Sequence, residues 1–478
     1  MRSKRMKIAL GMSAGLVSLV ASFAQTARAQ EGGHGTHDMG AGAAAPPAAS
    51  SASAPMTMPM PSQADATKMD MPKETAPLGL SMSREGSGTA WQPDSTPMSA
   101  LHFTLGEWRF MFHENVFVGV DATSGARGDT KVTSVNWLML MARHSLGPGE
   151  FGARVMLSLE PLTVGGAGYP LLLQTGETWH GTSLHDHQHP HDLFMEIAAE
   201  YAVPLSDDVA VNVYVAPAGE PALGPVAFPH RSSAMNDPLA PIGHHWQDST
   251  HIAYGVVTAG VYARKVKLEG SWFNGREPDE NRYDLDLRVP DSYSGRLWFN
   301  PTENISMQTS YGYLRSPEAA QPDASLHRAT ASVTFNVPVF AAGNSATTAL
   351  VGVNIPSQGV VTNSSLLESN LDITEHHSVF GRAELATKTG DDFVLTAERA
   401  RNRYTVGALS LGYVFHFPAV VGFVPGLGAR GSVQVVDDDL GGFYGGRTPV
   451  GGMVYLQIKP AGMNMSAGGA HGAGHMPM

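Results

Sequence analysis

Ile305-Ser306-Met307-Gln308-Thr309-Ser310-Tyr311-Gly312-Tyr313 places a larger side chain at every second residue and a small or polar one between. A backbone that sends successive side chains to opposite faces is extended, so this stretch is a strand with one apolar and one polar face. The pattern recurs as Ala329, Ala331, Val333, Phe335 and Val337 against Arg328, Thr330, Ser332, Thr334 and Asn336, and as Leu409, Leu411, Tyr413 and Phe415 against Ala408, Ser410 and Gly412. A soluble sandwich would fill its apolar face with aliphatic core. Here strand ends carry Trp108, Trp272, Trp298, Tyr311, Tyr313, Phe415 and Phe417, as expected of aromatic girdles at two bilayer interfaces.

Working outward, sixteen strands are expected, near 105–118, 131–143, 150–160, 193–203, 208–216, 250–261, 265–274, 288–299, 303–314, 327–337, 346–354, 364–373, 377–388, 404–417, 424–436 and 450–459. Short connections alternate with longer ones, the longest spanning 160–192 and 217–249. The fold class expected is therefore all-β: an antiparallel outer-membrane β-barrel over 101–460, with short periplasmic turns and long outer loops. An even strand count returns both termini to the periplasm. A lumen of that size is expected to hold water. A periplasmic or surface β-solenoid or multi-sandwich is the soluble alternative. The last strand is followed by a tail, so any aromatic insertion signal is internal.

Composition agrees with a barrel that handles cations. The 478 residues carry a net charge of −12 and no Cys, with 15% charged residues where globular chains average about 25%. The missing Cys excludes disulfides, thiolate metal sites, iron–sulfur clusters and thiol catalysis, and the acidic balance argues against a nucleic-acid partner. Basic residues Arg2 to Lys7, an apolar run from Ile8 to Phe23 and Ala27-Arg28-Ala29 predict a signal peptide over 1–29.

Residues 30–100 and 461–478 read as disordered tails rich in soft ligands. The first holds His34, His37, Met39, Met56, Met58, Met60, Met69 and Met71; the second holds Met463, Met465, His471, His475, Met476 and Met478. Thioether and imidazole suit Cu(I), Cu(II) or Ag(I) rather than Mg or Ca. Incidental Met in filler sequence is the plainer alternative.

Nine of the twenty His fall between His180 and His251, where even spacing would place about three. One group is His185-Asp186-His187-Gln188-His189-Pro190-His191-Asp192, four imidazoles that share a face if the segment is extended. The other is Gly243-His244-His245-Trp246-Gln247-Asp248-Ser249-Thr250-His251, with His230 upstream. Three or four of these with Asp192 or Asp248 would suit copper, Zn(II) or Ni(II), on two loops that could fold into the pore. The alternative is that the His pin the loops to the wall through hydrogen bonds. A hydrolytic metal with Glu177, Glu196 or Asp248 as base is a third reading, without a His-Glu-x-x-His segment to support it. The acidic runs Glu277-Pro278-Asp279-Glu280 and Asp437-Asp438-Asp439 read as solvated charge.

The segments Gln188–Phe194, Gly219–Phe228, Gly243–His251 and Gly275–Tyr283 resemble those of a family of bacterial outer-membrane barrel proteins linked to heavy-metal resistance, over most of 80–460. The Met/His-rich amino tail is similar in composition to copper-resistance outer-membrane protein B. The resemblance implies an outer-membrane barrel and suggests copper, with no set mechanism. The expected function is binding of a soft or borderline metal, copper first, for export or sequestration. Its expected partners are outer-membrane lipids and lipopolysaccharide, periplasmic metal-efflux components and further copies of the chain. The alternative is a general or solute-selective porin with structural loop histidines.

Overall fold

The computed structural model describes residues 75–340 and 343–462. The expected signal peptide lies outside them, as do the tail ligands His34, His37, Met39, Met56, Met58, Met60, Met69, Met71, Met463, Met465, His471, His475, Met476 and Met478.

Alternation dictates sixteen long antiparallel strands, and these close on themselves. They are β1 (Trp108–Thr123), β2 (Asn136–Leu146), β3 (Gly149–Leu157), β4 (Phe194–Pro204), β5 (Ala210–Gly219), β6 (Ala253–Tyr262), β7 (Val266–Asn274), β8 (Ser292–Thr302), β9 (Ile305–Arg315), β10 (Ser325–Val339), β11 (Gly343–Pro356), β12 (Thr362–Asp372), β13 (His377–Thr389), β14 (Arg403–His416), β15 (Phe423–Val435) and β16 (Val450–Pro460). Closure is made by β16 on β1, with Gly451 opposite Thr123 and Ile458 opposite Val116. Two short strands complete the flanks of the long β1: Leu101–Leu105 continues the β16 side and Thr130–Thr133 the β2 side. No sheet edge is left for lipid to meet, as a barrel in hydrocarbon requires.

The outward face is apolar and the inward face polar. Leu411 is 66% exposed beside Ser410 at 4%, and Leu268 is 56% exposed beside Glu269 at 3%. Trp272 and Tyr293 stand outward near the long-loop end, and Phe299 and Phe417 near the short-turn end, completing two aromatic girdles. Trp298 departs from the expected girdle. It shares inward parity with Lys267 opposite it, is buried, and donates its indole N–H to Glu269 Oε1 at 3.0 Å. Among the described residues no helix is long and apolar enough to cross a membrane. The chain crosses with strands, and this surface makes it an outer-membrane barrel.

The lumen differs from expectation, because chain fills much of it. Residues 220–252 fold inward and are almost wholly buried. A hairpin of Tyr169–Trp179 and Thr182–Gln188 buries Tyr169 and Leu171 to Leu173 beside them. From the short-turn end, residues 75–100 enter as well, although the sequence places them in the unstructured tail. Trp91 meets Tyr262 edge-on at 5.9 Å, Lys267 Nζ donates to Thr89 O at 2.6 Å, and Asn336 Nδ2 donates to Ser95 O at 2.7 Å. This segment carries no periodic signal because side-chain to backbone bonds hold it, rather than a regular ladder.

Candidate metal centre in the lumen

The inward loop is bolted to the wall by buried charge. Arg231 pairs with Glu368 of β12 and, at 2.9 Å, with Asp248 of its own loop. Glu368 also accepts from Arg382 of β13 at 2.9 Å, while Asp237 of the loop lies 3.0 Å from Arg430 of β15. Arg328 of β10 donates to Ser249 Oγ at 2.8 Å, and Asn354 of β11 to the His245 carbonyl at 3.0 Å. Gly352 permits this docking, since a Cβ there would lie 2.2 Å from the Trp246 carbonyl oxygen.

On this scaffold three histidines converge. His189 follows the inward hairpin, and His244 and His245 open a single helical turn, His244–Gln247. One ring nitrogen of each lies within 4.8 Å of those of the other two, and all three residues are buried. Their Nδ1 atoms are turned to carboxylates: His244 donates to Asp248 Oδ1 at 2.9 Å, His245 to Glu277 Oε1 at 3.0 Å, and His189 Nδ1 lies 3.1 Å from Glu177 Oε1. Each Nε2 is buried with no hydrogen-bond partner. A carboxylate on Nδ1–H fixes the tautomer that leaves the Nε2 lone pair free, which is how metal-binding imidazoles are oriented. Burial pushes His244 down to about 4 and His189 well below the ordinary histidine range, so both rings stay neutral at pH 7. Three buried imidazoles with orphaned nitrogens suit a late first-row transition metal better than oxygen-seeking Mg or Ca. Gly176, at φ +123°, makes the room, since a Cβ would lie 2.3 Å from His245 Nε2. A cavity of about 470 Å³ at the long-loop end, lined by Gly176, His245, Glu318 and Asp392 among others, reaches His245.

The other candidates fall elsewhere. His191 donates from Nδ1 to Glu160 at 3.0 Å and His251 to the Asp248 carbonyl at 2.8 Å; their rings are 5.1 Å apart, and both Nε2 atoms are orphaned. They flank the centre. His185 and His187 stay near the rim on Asp186 and Asp129. The expected shared face of four imidazoles does not form, because Asp186 has φ +58° and the strand ends at Gln188. Neither Asp192 nor Asp248 faces the metal position: Asp192 is taken by Arg282 and the Tyr254 hydroxyl, and Asp248 orients His244. Glu177 is likewise held by Arg282, and Glu196 accepts from the Tyr214 hydroxyl at 2.7 Å, so the three carboxylates considered as hydrolytic bases have partners. His230 lies apart, its ring 4.5 Å from Trp137.

Glu277 and Glu160 are the residues that sequence reasoning missed. Glu277 belongs to an acidic run read as solvated charge, yet it is half-buried against His245; only its place after Asn274, where β7 ends, hinted at a rim position.

No family model and no curated protein matches the sequence. Among solved structures, the chain is similar to an anion-selective porin from Comamonas acidovorans, at 12% identity over 74% of this chain and 100% of that one, with a TM-score of 0.48. It is also similar to OmpF of Salmonella typhi in complex with daunomycin, at 8% identity over 75% of this chain and 100% of that one, again with a TM-score of 0.48.

Proposed function

We propose that the chain is a selective outer-membrane channel, a porin in the broad sense, held closed by its own inward segments. The observation that carries this reading is a lumen whose wall is polar and charged. Arg154, Glu196, Lys267, Glu269, Arg296, Glu368 and Arg382 are all buried inward, and Arg231 Nη2, Arg382 Nη2, both Asp121 oxygens and Gln457 Oε1 have no protein hydrogen-bond partner. Buried polar atoms without protein partners call for water, and a wet, mixed-charge interior is what a solute path needs. With short turns on the periplasmic side, both tails face the periplasm. Planar-bilayer recording tests the reading. Rare or small openings are expected for the intact protein and larger ones for Arg231→Gln, which unbolts the loop. Silence of both proteins would overturn it.

A second reading is favoured by the three-histidine centre: the barrel captures a borderline metal, copper first, for sequestration or export. The experiment compares Cu(II) and Zn(II) binding by folded protein with that of His189→Gln/His244→Gln/His245→Gln. Equal binding by the two would end this reading without touching the first.

A further inference from the structure

Eight of the ten methionines between residues 75 and 462 gather in one sector of the lumen: Met82, Met98, Met111, Met139, Met141, Met156, Met195 and Met235. They come from separate pieces of chain. Met111 is on β1, Met139 and Met141 are on β2, Met235 is on the inward loop, and Met82 and Met98 are on the segment that enters from the short-turn end. Together these six line a cavity of about 50 Å³, and the remaining lining includes His113 and His230. Outside this sector Met453 is the one buried methionine among the described residues, and the other inward positions are small, polar, charged, aliphatic or aromatic, so thioether is concentrated here.

Packing alone is a poor account of the pattern. Met fills irregular gaps because it is flexible, yet here six converge and leave a gap. A cavity that size holds one small ion or water, and thioethers are weak hydrogen-bond acceptors that give water little to bind. Ser83, Glu85, Gln92 and Thr96 of the entering segment complete the lining, while the polar atoms set against the thioethers are nitrogens. His230 Nε2 lies 3.3 Å from Met156 Sδ, His113 Nε2 is buried with no hydrogen-bond partner, and Asn115 Nδ2 lies 3.7 Å from Met235 Sδ. The two imidazoles meet edge to face with ring centres 5.9 Å apart, and Trp137 lies 4.7 Å from His113 and 4.5 Å from His230.

We propose that this chamber binds a monovalent soft cation, Cu(I) or Ag(I), through the thioethers of Met111, Met139, Met141 and Met235 with His113 or His230. Thioether and imidazole together select such an ion over Zn(II), and over any oxygen-seeking cation. The site is separate from the three-histidine centre and does not depend on whether the barrel conducts. It joins β1 and β2, the inward loop and the entering segment, so an occupant would tie both luminal segments to one wall. In the sequence, Met82 follows eleven residues after Met71, which places the chamber next along the chain from the methionine-rich tail.

The test uses full-length, detergent-folded protein and reads Trp137, which the tails do not contain. Ag(I), which needs no reductant, is titrated while the Trp137 emission is followed as the difference between wild type and Trp137→Phe. Quenching is expected in wild type, loss of it in Met139→Leu/Met141→Leu/Met235→Leu, and retention in His189→Gln/His244→Gln/His245→Gln. Leu nearly conserves the volume of Met, and the heat-modifiable gel shift checks folding. Should the triple Leu variant not fold, Met235→Leu alone, on the loop rather than the wall, is read in the same way. No quenching in wild type, quenching that survives the Leu substitutions, or equal quenching by Zn(II) would overturn the proposal.

Discussion

Glu277 and His245 meet at 3.0 Å, carboxylate to Nδ1, although one comes from the loop after β7 and the other from the loop after β5. The contact fixes which nitrogen of His245 remains free, and it ties the inward loop to its neighbour. If the three-histidine centre binds metal, Glu277→Gln is expected to weaken Zn(II) or Cu(II) affinity by about 10- to 100-fold while His245 itself is intact, the usual consequence of losing an orienting carboxylate. Isothermal titration with folded protein measures it, and unchanged affinity would remove Glu277 from the centre.

Gly176 gives a steric test of the same place. Gly176→Ala adds a methyl 2.3 Å from His245 Nε2 at φ +123°, where an L side chain is also strained. It is expected to displace the ring and lower metal affinity with little change in barrel stability, because Gly176 lies in the luminal hairpin and not in the wall. Retained affinity would mean the ring has somewhere else to go.

Arg231 should matter to loop docking more than to the wall. Removing one member of a buried ion-paired group typically costs about 3–5 kcal/mol, because its partners are left charged and uncompensated. For Arg231→Gln those partners are Asp248 and Glu368. Increased proteolysis within 220–252, with the gel-shift behaviour of the barrel preserved, is expected. Loss of the whole barrel would show that the loop is part of the fold and not a gate.

Acidification should release the same loop. Burial holds His244 at about 4 and His230 at about 3, against 6.5 when free. The released loop therefore binds more protons than the docked one between roughly pH 6.5 and 4, so docking is fully stable above that window and weakens as pH falls through it. His244 is faced by Asp248, His245 and His191, and His230 by His113 and Arg154; Asp248 partly opposes the effect at His244. Proteolysis of the loop should rise from pH 7 to pH 4, and His230→Gln/His244→Gln should flatten the rise. An equal slope in that variant would place the titration elsewhere.

The outer face can be tested at Leu411, mid-strand in β14 and 66% exposed to the surroundings. If that face meets hydrocarbon, Leu411→Arg should cost about 2–4 kcal/mol in folding from urea into bilayers. A cost near zero would contradict the membrane face.

What the sequence by itself determined is the wall. Its period of two, its girdle aromatics and its alternating connection lengths are local signals, repeated along the chain, and they predict sixteen strands and the parity of residues such as Met307, Leu411 and Ser410. Trp298 slipped because a girdle residue and a luminal one look alike until parity is counted from a paired neighbour such as Lys267. The histidine-rich loops were also legible as a place of interest. What they do there was decided by tertiary structure. Residues 220–252 and 75–100 have no periodicity, and their positions come from single contacts with distant partners, Arg231 with Glu368, Lys267 with Thr89, His245 with Glu277. The selection of His189, His244 and His245 from nine neighbours, and the gathering of eight methionines into one sector, depend on how the closed barrel brings remote loops and strands to one interior. Pairings over such separations leave no trace in local spacing, because it is the closure of the sheet that creates the proximity.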